Sequence, residues 1–288
     1  MKIGVLTDNF RCPLKEALQK ASKLGLAGVQ IYATHGEFEP SLLKNKTALD
    51  GYLDLFKSLG LVVSALCGDM GGHGFERQKD NTERIEKTRA IIDLASACGA
   101  GVVTTHIGVI PEDEKSPQFN VMVTALDTLG LYGKKQGVTL AIETGPEKPE
   151  TLKKFLAQTH GGVGINLDPA NFVMVTGVDP AQAVGILGAH IVHTHVKDGI
   201  MKQQTDPARV YNFFAEGGIG DFRMADYFSE TPVGEGMVNF DSYLGALKKS
   251  GYNGFLTIER EAGPDPEKDI SAAAAFIREK LASLGIRE

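Results

Sequence analysis

Along the whole chain an amphipathic stretch, a glycine, and a short run rich in Val, Ile and Leu follow one another, each run ending in polar residues. The pattern predicts helix then strand, repeated from end to end. The helices are expected to close at Gly25, Gly60, Gly99, Gly137, Gly161 or Gly162, Gly188 and Gly251, where a C′ residue needs positive φ. The strands are expected over Ile3–Leu6, Gly28–Ile31, Val62–Leu66, Val102–Thr105, Val138–Ile142, Val163–Leu167, His190–Val196 and Phe255–Ile258. Such continuous hydrophobicity suits parallel strands covered on both faces, with the helices as right-handed crossovers. Eight units predict one α/β domain over residues 1–288, a closed (β/α)8 TIM barrel.

An open doubly wound sheet shares this alternation but carries phosphate-binding glycines after its first strand. Here that turn reads Thr7-Asp8-Asn9-Phe10, and neither GxGxxG at that turn nor GxxxxGK[ST] anywhere is present. The barrel is therefore preferred. Its regular spacing breaks once, between Val196 and Phe255. The segment from Gly199 to Pro232, about residues 199–233, is too mixed in composition for a plain linker and is expected to be a lid-like loop over the active site.

In such a barrel the working residues emerge at the C-terminal ends of the strands, so the search has few places to look. One predicted strand ends Ala141-Ile142-Glu143-Thr144, the next Asn166-Leu167-Asp168-Pro169, the next holds His193-Thr194-His195-Val196-Lys197-Asp198, and the last ends Thr257-Ile258-Glu259-Arg260. A single carboxylate there can simply cap a helix or pair with a cation. Three carboxylates and an imidazole aimed at one mouth repel unless a cation sits among them, which points to one divalent metal held by Glu143, Asp168, His195 and Glu259. The hard, oxygen-rich set favours Mn²⁺, with Mg²⁺, Co²⁺ and Zn²⁺ as alternatives.

Composition narrows the partners. The chain has 288 residues, is 42% hydrophobic and carries a net charge of −6, so it has ample core and no basic surface for a nucleic-acid backbone. Cys12, Cys67 and Cys98 lie far apart, without disulfide or CxxC zinc spacing, in keeping with a reducing cytoplasm. The first apolar run is too short for a signal segment, and no stretch reaches the eighteen or so apolar residues that a membrane-spanning helix needs.

The Glu143 strand end, Asn166-Leu167-Asp168, His195-Val196-Lys197-Asp198, Gly234-Glu235-Gly236 and Leu256-Thr257-Ile258-Glu259 together resemble the sugar isomerases and epimerases with the xylose isomerase-like barrel, also called AP endonuclease family 2. The resemblance spans the whole chain. It implies that Glu143, Asp168, His195 and Glu259 bind one metal, and that Glu143 and Glu259 serve as base and acid in an enediolate-type proton transfer on a small carbohydrate. Relatives are often dimers or tetramers, which leaves a homo-oligomer open. An inosose-type dehydratase on the same metal site, or a non-catalytic sugar-binding barrel, are the alternatives.

The chain also departs from relatives. Endonuclease members hold three zinc ions with extra histidines; here one such position is Asn171, and another falls in Leu66-Cys67-Gly68-Asp69, with His73 only beyond it. In tagatose/psicose epimerases the Asn171 position is a substrate-contacting histidine, so Asn171 is assigned to a sugar hydroxyl and that substrate is set aside. His106 follows the fourth strand and is either a substrate group or a half-buried histidine. His193 lies two residues before the ligand on the same side, one layer deeper. Lys197, Glu235 and Arg260 complete the expected substrate-binding set, Lys197 having an ion pair as its alternative. Lys202, Arg209 and Arg223 in the lid are too scattered to assign a phosphate.

Overall fold

The computed structural model describes residues 1–288 and closes as the expected barrel. Its strands are β1 (Lys2–Leu6), β2 (Gly28–Tyr32), β3 (Val62–Cys67), β4 (Val102–Thr105), β5 (Thr139–Glu143), β6 (Val163–Leu167), β7 (Ile191–Val196) and, after a two-stranded ribbon of β8 (Asp198–Met201) and β9 (Phe228–Thr231), β10 (Phe255–Ile258). The barrel order is β1-β10-β7-β6-β5-β4-β3-β2, and all neighbours whose register is resolved run parallel. β8 and β9 pair antiparallel outside it.

The helices α1 (Leu14–Lys23), α2 (Lys46–Ser58), α3 (Gln78–Ala97), α4 (Pro117–Gln136), α5 (Pro149–Ala157), α6 (Pro169–Asn171), α7 (Pro180–Leu187), α8 (Pro207–Glu216), α9 (Phe240–Lys249) and α10 (Pro266–Ser283) supply the crossovers and the lid. No single helix is long and apolar enough to cross a membrane. Most expected helix ends hold: Gly137, for instance, follows α4 with φ +72°. Gly188 differs, because its φ is −45° and the chain turns through a short 3-10 segment before β7 instead of closing with a left-handed residue.

The barrel interior is polar at one level. Gln30 of β2 reaches Thr104 of β4 at 2.8 Å, and His193 of β7 bridges Asn166 of β6 and Thr257 of β10, both at 2.9 Å. Each of these groups is buried. Buried polar groups are tolerated when bonded to one another, and this network braces the strand ends above it.

The segment after β7 is more ordered than the loop expected of it. Asp206 caps α8 by accepting from the Ala208 amide at 3.0 Å, Pro207 opens the helix, and Gly217 closes it with φ +69°. These are ordinary start and stop signals. The β8–β9 ribbon carries α8 back across the mouth, where Tyr211 Oη donates to the Gly72 carbonyl at 3.2 Å. His73 and Arg77 on the β3–α3 side both engage Glu216 at the end of α8.

Candidate metal centre

Glu143 ends β5, Asp168 follows β6, His195 lies near the end of β7, and Glu259 follows β10, so parallel pairing alone brings all four to one end of the barrel. One ligand atom from each lies within 4.8 Å of every other, and all four residues are buried. His195 Nδ1 is 3.3 Å from Glu143 Oε1, 3.5 Å from Asp168 Oδ2 and 3.2 Å from Glu259 Oε2. Three carboxylates thus converge on one ring nitrogen.

The ring is oriented from behind. Gln30 gives its amide N–H to Thr104, which leaves its carbonyl oxygen as an acceptor 2.9 Å from His195 Nε2. A proton on Nε2 donates to that oxygen and leaves the Nδ1 lone pair facing the carboxylates, the arrangement usual for a metal-binding histidine; Asn166 Nδ2 also lies 3.2 Å from Nε2. Asp168 is anchored as well: its Oδ1 caps α6 through the amides of Ala170 and Asn171 at 2.7 and 3.1 Å. Its Oδ2 and His195 Nδ1 are buried without a hydrogen-bond partner. Two orphaned acceptors beside two more carboxylates require positive charge. Burial disfavours a proton on His195, but Glu259 and Glu143 outweigh it and raise the His195 pKa well above the ordinary histidine range. A divalent ion meets all four ligands at once, and the oxygen-rich donor set suits a hard cation.

A cavity of about 220 Å³ opens above the cluster. That is small beside the ~300–1,000 Å³ of sites for drug-sized ligands, and it suits a compact molecule. Its walls include Tyr32, Asp69, His106, Asn171, Lys197 and Tyr211. Lys197 Nζ lies 2.9 Å from Glu259 Oε2 and 2.5 Å from Glu261 Oε2, so of its two expected roles the ion pair is present and the ammonium braces Glu259. Asn171 Nδ2 donates to the Thr144 carbonyl at 2.9 Å at the cavity edge. His106 Nδ1 meets Asp69 Oδ2 at 3.0 Å. Burial alone lowers its pKa, but the Glu143 carboxylate and the Asp69 bond raise it to about 10.

Two expected substrate residues lie elsewhere. Arg260 alternates to the other side of its strand end and binds Asp269 at 2.8 Å and Glu230 of the lid ribbon at 2.5 Å. Glu235 is exposed at the tip of its turn, whose contribution comes from backbone amides: Gly234 and Gly236 donate to Asp198 Oδ2 at 3.0 and 2.9 Å. His193 sits one layer below His195, bonded on both ring nitrogens, and burial drives its pKa well below the usual value. Gln30, Asp69 and Tyr211 are the site residues that strand-end reasoning passes over. Gln30 left a sign, a lone amide inside the apolar run Gly28-Val29-Gln30-Ile31.

A closed parallel barrel with a buried carboxylate–imidazole cluster at its C-terminal mouth defines a class of metal-ready TIM barrels. The chain belongs to the xylose isomerase-like TIM-barrel family, whose sequence profile matches residues 18–280. It is 26% identical over 280 residues to the rhizopine catabolism protein MocC of Rhizobium meliloti, across 91% of this chain and 78% of that protein. It is 23% identical over 170 residues to the inosose dehydratase of Bacillus thuringiensis (strain Al Hakam), across 57% of this chain; the chain spans about half the length of that relative, 55%. The xylose isomerase domain protein of Planctomyces limnophilus superposes with a TM-score of 0.78 at 24% identity, over 99% of this chain and 98% of that one. Matched members of the family include 3-epimerases as well as dehydratases.

Proposed function

We propose that this protein is a divalent-metal-dependent isomerase or epimerase of a sugar or related keto compound, acting by enediolate-type proton transfer between Glu143 and Glu259. The observation that carries the reading is the buried quartet: two glutamates flank one oriented imidazole beneath a small, lidded cavity. Glu143, Asp168, His195 and Glu259 would hold the ion. When bound, it supplies Lewis-acid polarisation of a carbonyl and offsets negative charge beside it, with manganese the preferred identity.

The residues divide the remaining work. Lys197 hydrogen-bonds Glu259 and lowers that carboxylate's proton affinity, while no lysine or arginine bonds Glu143, which is assigned as the base. Glu259, three strands further round the barrel, would enter the cycle protonated and give that proton to the substrate carbon, while Glu143 keeps the one it has taken. Delivery to the opposite face of the same carbon gives epimerisation, and delivery to the neighbouring carbon gives aldose–ketose isomerisation. Tyr211 and Phe214 of α8 cover the cavity and exclude water while the proton is held.

The Mn²⁺-loaded protein, incubated with ketoses and cyclitols in deuterated water, should place deuterium beside the carbonyl of a substrate whose skeleton and oxygen count are unchanged. Absence of exchange with every compound would sink the reading, as would full turnover by Glu143→Gln.

His106 favours a second reading, a dehydratase. Held protonated by Asp69 and Glu143 at the cavity wall, it has the form required to protonate a departing hydroxyl. In that case a cyclitol loses water, and His106→Asn retains deuterium exchange while losing dehydration. Equal loss of both in that variant, with metal content intact, argues against His106 as the acid.

A further inference from the structure

Barrels of this kind commonly seat a phosphate on the loops after their last two strands, using backbone amides or a cation. Here both devices are occupied by the protein's own carboxylates. Four amides converge on Asp198: Gly199 and Val238 donate to its Oδ1 at 2.8 and 3.1 Å, Gly234 and Gly236 to its Oδ2 at 3.0 and 2.9 Å. The cradle is so close that a Cβ at Gly236 would stand 2.1 Å from Asp198 Oδ1, which explains the glycine there. The cavity's single ammonium, Lys197, is shared between Glu259 and Glu261.

The lid supplies no substitute. Lys202 donates to the Ala225 carbonyl at 2.8 Å, the Arg209 guanidinium lies 4.7 Å over the Phe222 ring, and neither these nor Arg223 line the cavity. The lining holds four carboxylates, those of Asp69, Glu143, Glu259 and Glu261, alongside the rings of Tyr32, Tyr211 and Phe214. Such a surface accepts hydrogen bonds from hydroxyls and covers C–H faces, and its one ammonium is already paired with the protein's own carboxylates.

We infer that the substrate is an uncharged polyhydroxy compound, an unphosphorylated ketose or cyclitol, and that Glu261 disfavours phosphate esters by holding the one ammonium of the cavity, while the loop amides nearby are committed to Asp198. The inference rests on the reading of this cavity as the substrate site. Its test is binding, read separately from turnover: calorimetric titration of the full-length Mn²⁺-loaded protein with ketoses and cyclitols, each beside its monophosphate ester, and with inorganic phosphate as competitor. The neutral member of a binding pair should bind at least about tenfold more tightly than its ester, and inorganic phosphate should not displace it. In Glu261→Gln, where Lys197 loses one partner, the gap should narrow several-fold. An ester bound as tightly as its neutral counterpart overturns the inference, and so does a panel in which no neutral compound binds. Failure of the proton-transfer reading is distinguishable, because it appears as binding without deuterium exchange.

Discussion

Gln30 Oε1 and His195 Nε2 are 2.9 Å apart, joined across the barrel interior by strands three places apart in its order. With the proton on Nε2 the contact holds the ring so that Nδ1 is free for a cation. Partners of this kind typically contribute about 10- to 100-fold in metal affinity. Gln30→Leu should therefore weaken Mn²⁺ binding by about that factor in calorimetric titration. The fold should persist, since only the Thr104 hydroxyl and His195 Nε2 each lose a partner, at a cost of roughly 1–3 kcal/mol apiece. Unchanged affinity would show that the ring is oriented by packing alone.

Asp168→Asn separates the two duties of one side chain. The amide oxygen of asparagine still caps α6 through the Ala170 and Asn171 amides, so the helix start survives. The Oδ2 position, which faces Lys197 and His195, loses its charge. Thermal melts with metal and with chelator should then diverge between proteins. In the parent, metal at a hundred times its Kd adds about 2.7 kcal/mol, a shift of several degrees. In Asp168→Asn the two melts should nearly coincide. A shift as large as the parent's would remove Asp168 from the ligand set.

How far the sequence carried this reading depends on what kind of order each residue obeys. Strand positions and the quartet were legible because both follow a periodic rule: a buried run, then a chemical group at its end. The quartet comes together because parallel pairing at similar register turns four sequence positions into one place. Arg260 illustrates the limit. It neighbours Glu259 in the chain, yet strand alternation sends it to Glu230 and Asp269 instead of the cavity. Glu235 misled for a different reason, since its turn acts through backbone amides that any side chain would leave in place. Asp69 lies just past β3 and stands out only through its bond to His106, while Tyr211 comes from the lid, which no strand-end rule reaches. Even there α8 was punctuated by Asp206, Pro207 and Gly217, a helix signature inside a segment whose length alone suggested a loop.

The lid is fastened at its edge. Glu216 at the end of α8 meets His73 and Arg77, and Tyr211 reaches the Gly72 carbonyl. Exposed pairs of this sort add only ~0–1 kcal/mol to global stability. A lid, however, needs no more than that to change its open fraction severalfold. Tyr211→Phe combined with Glu216→Ala should raise KM several-fold, speed amide exchange across α8, and leave the melting temperature of the barrel nearly unchanged. Exchange in α8 equal to the parent's would show that packing of Phe222 and its neighbours, not the latch, holds the lid.

Glu147 is the group whose pH dependence is cleanest to read. It is buried in the β5–α5 connection and accepts one hydrogen bond, from the Ile110 amide at 3.2 Å. Burial raises its pKa from the model-compound 4.5 to about 7, with that hydrogen bond opposing. The sign follows from proton binding: between pH 4.5 and 7 the folded state binds more protons than the unfolded chain, so this group's contribution to stability falls as pH rises through that window and levels off above it. A shift of this size corresponds to a few kcal/mol at most. Glu147→Gln keeps an acceptor for Ile110 and carries no charge to desolvate. It should be more stable than the parent at pH 8 and close to it at pH 4, as measured by urea unfolding at both values. A variant less stable than the parent at pH 8 would mean that the ionised carboxylate has a partner beyond the Ile110 amide, and that burial is not what sets its titration.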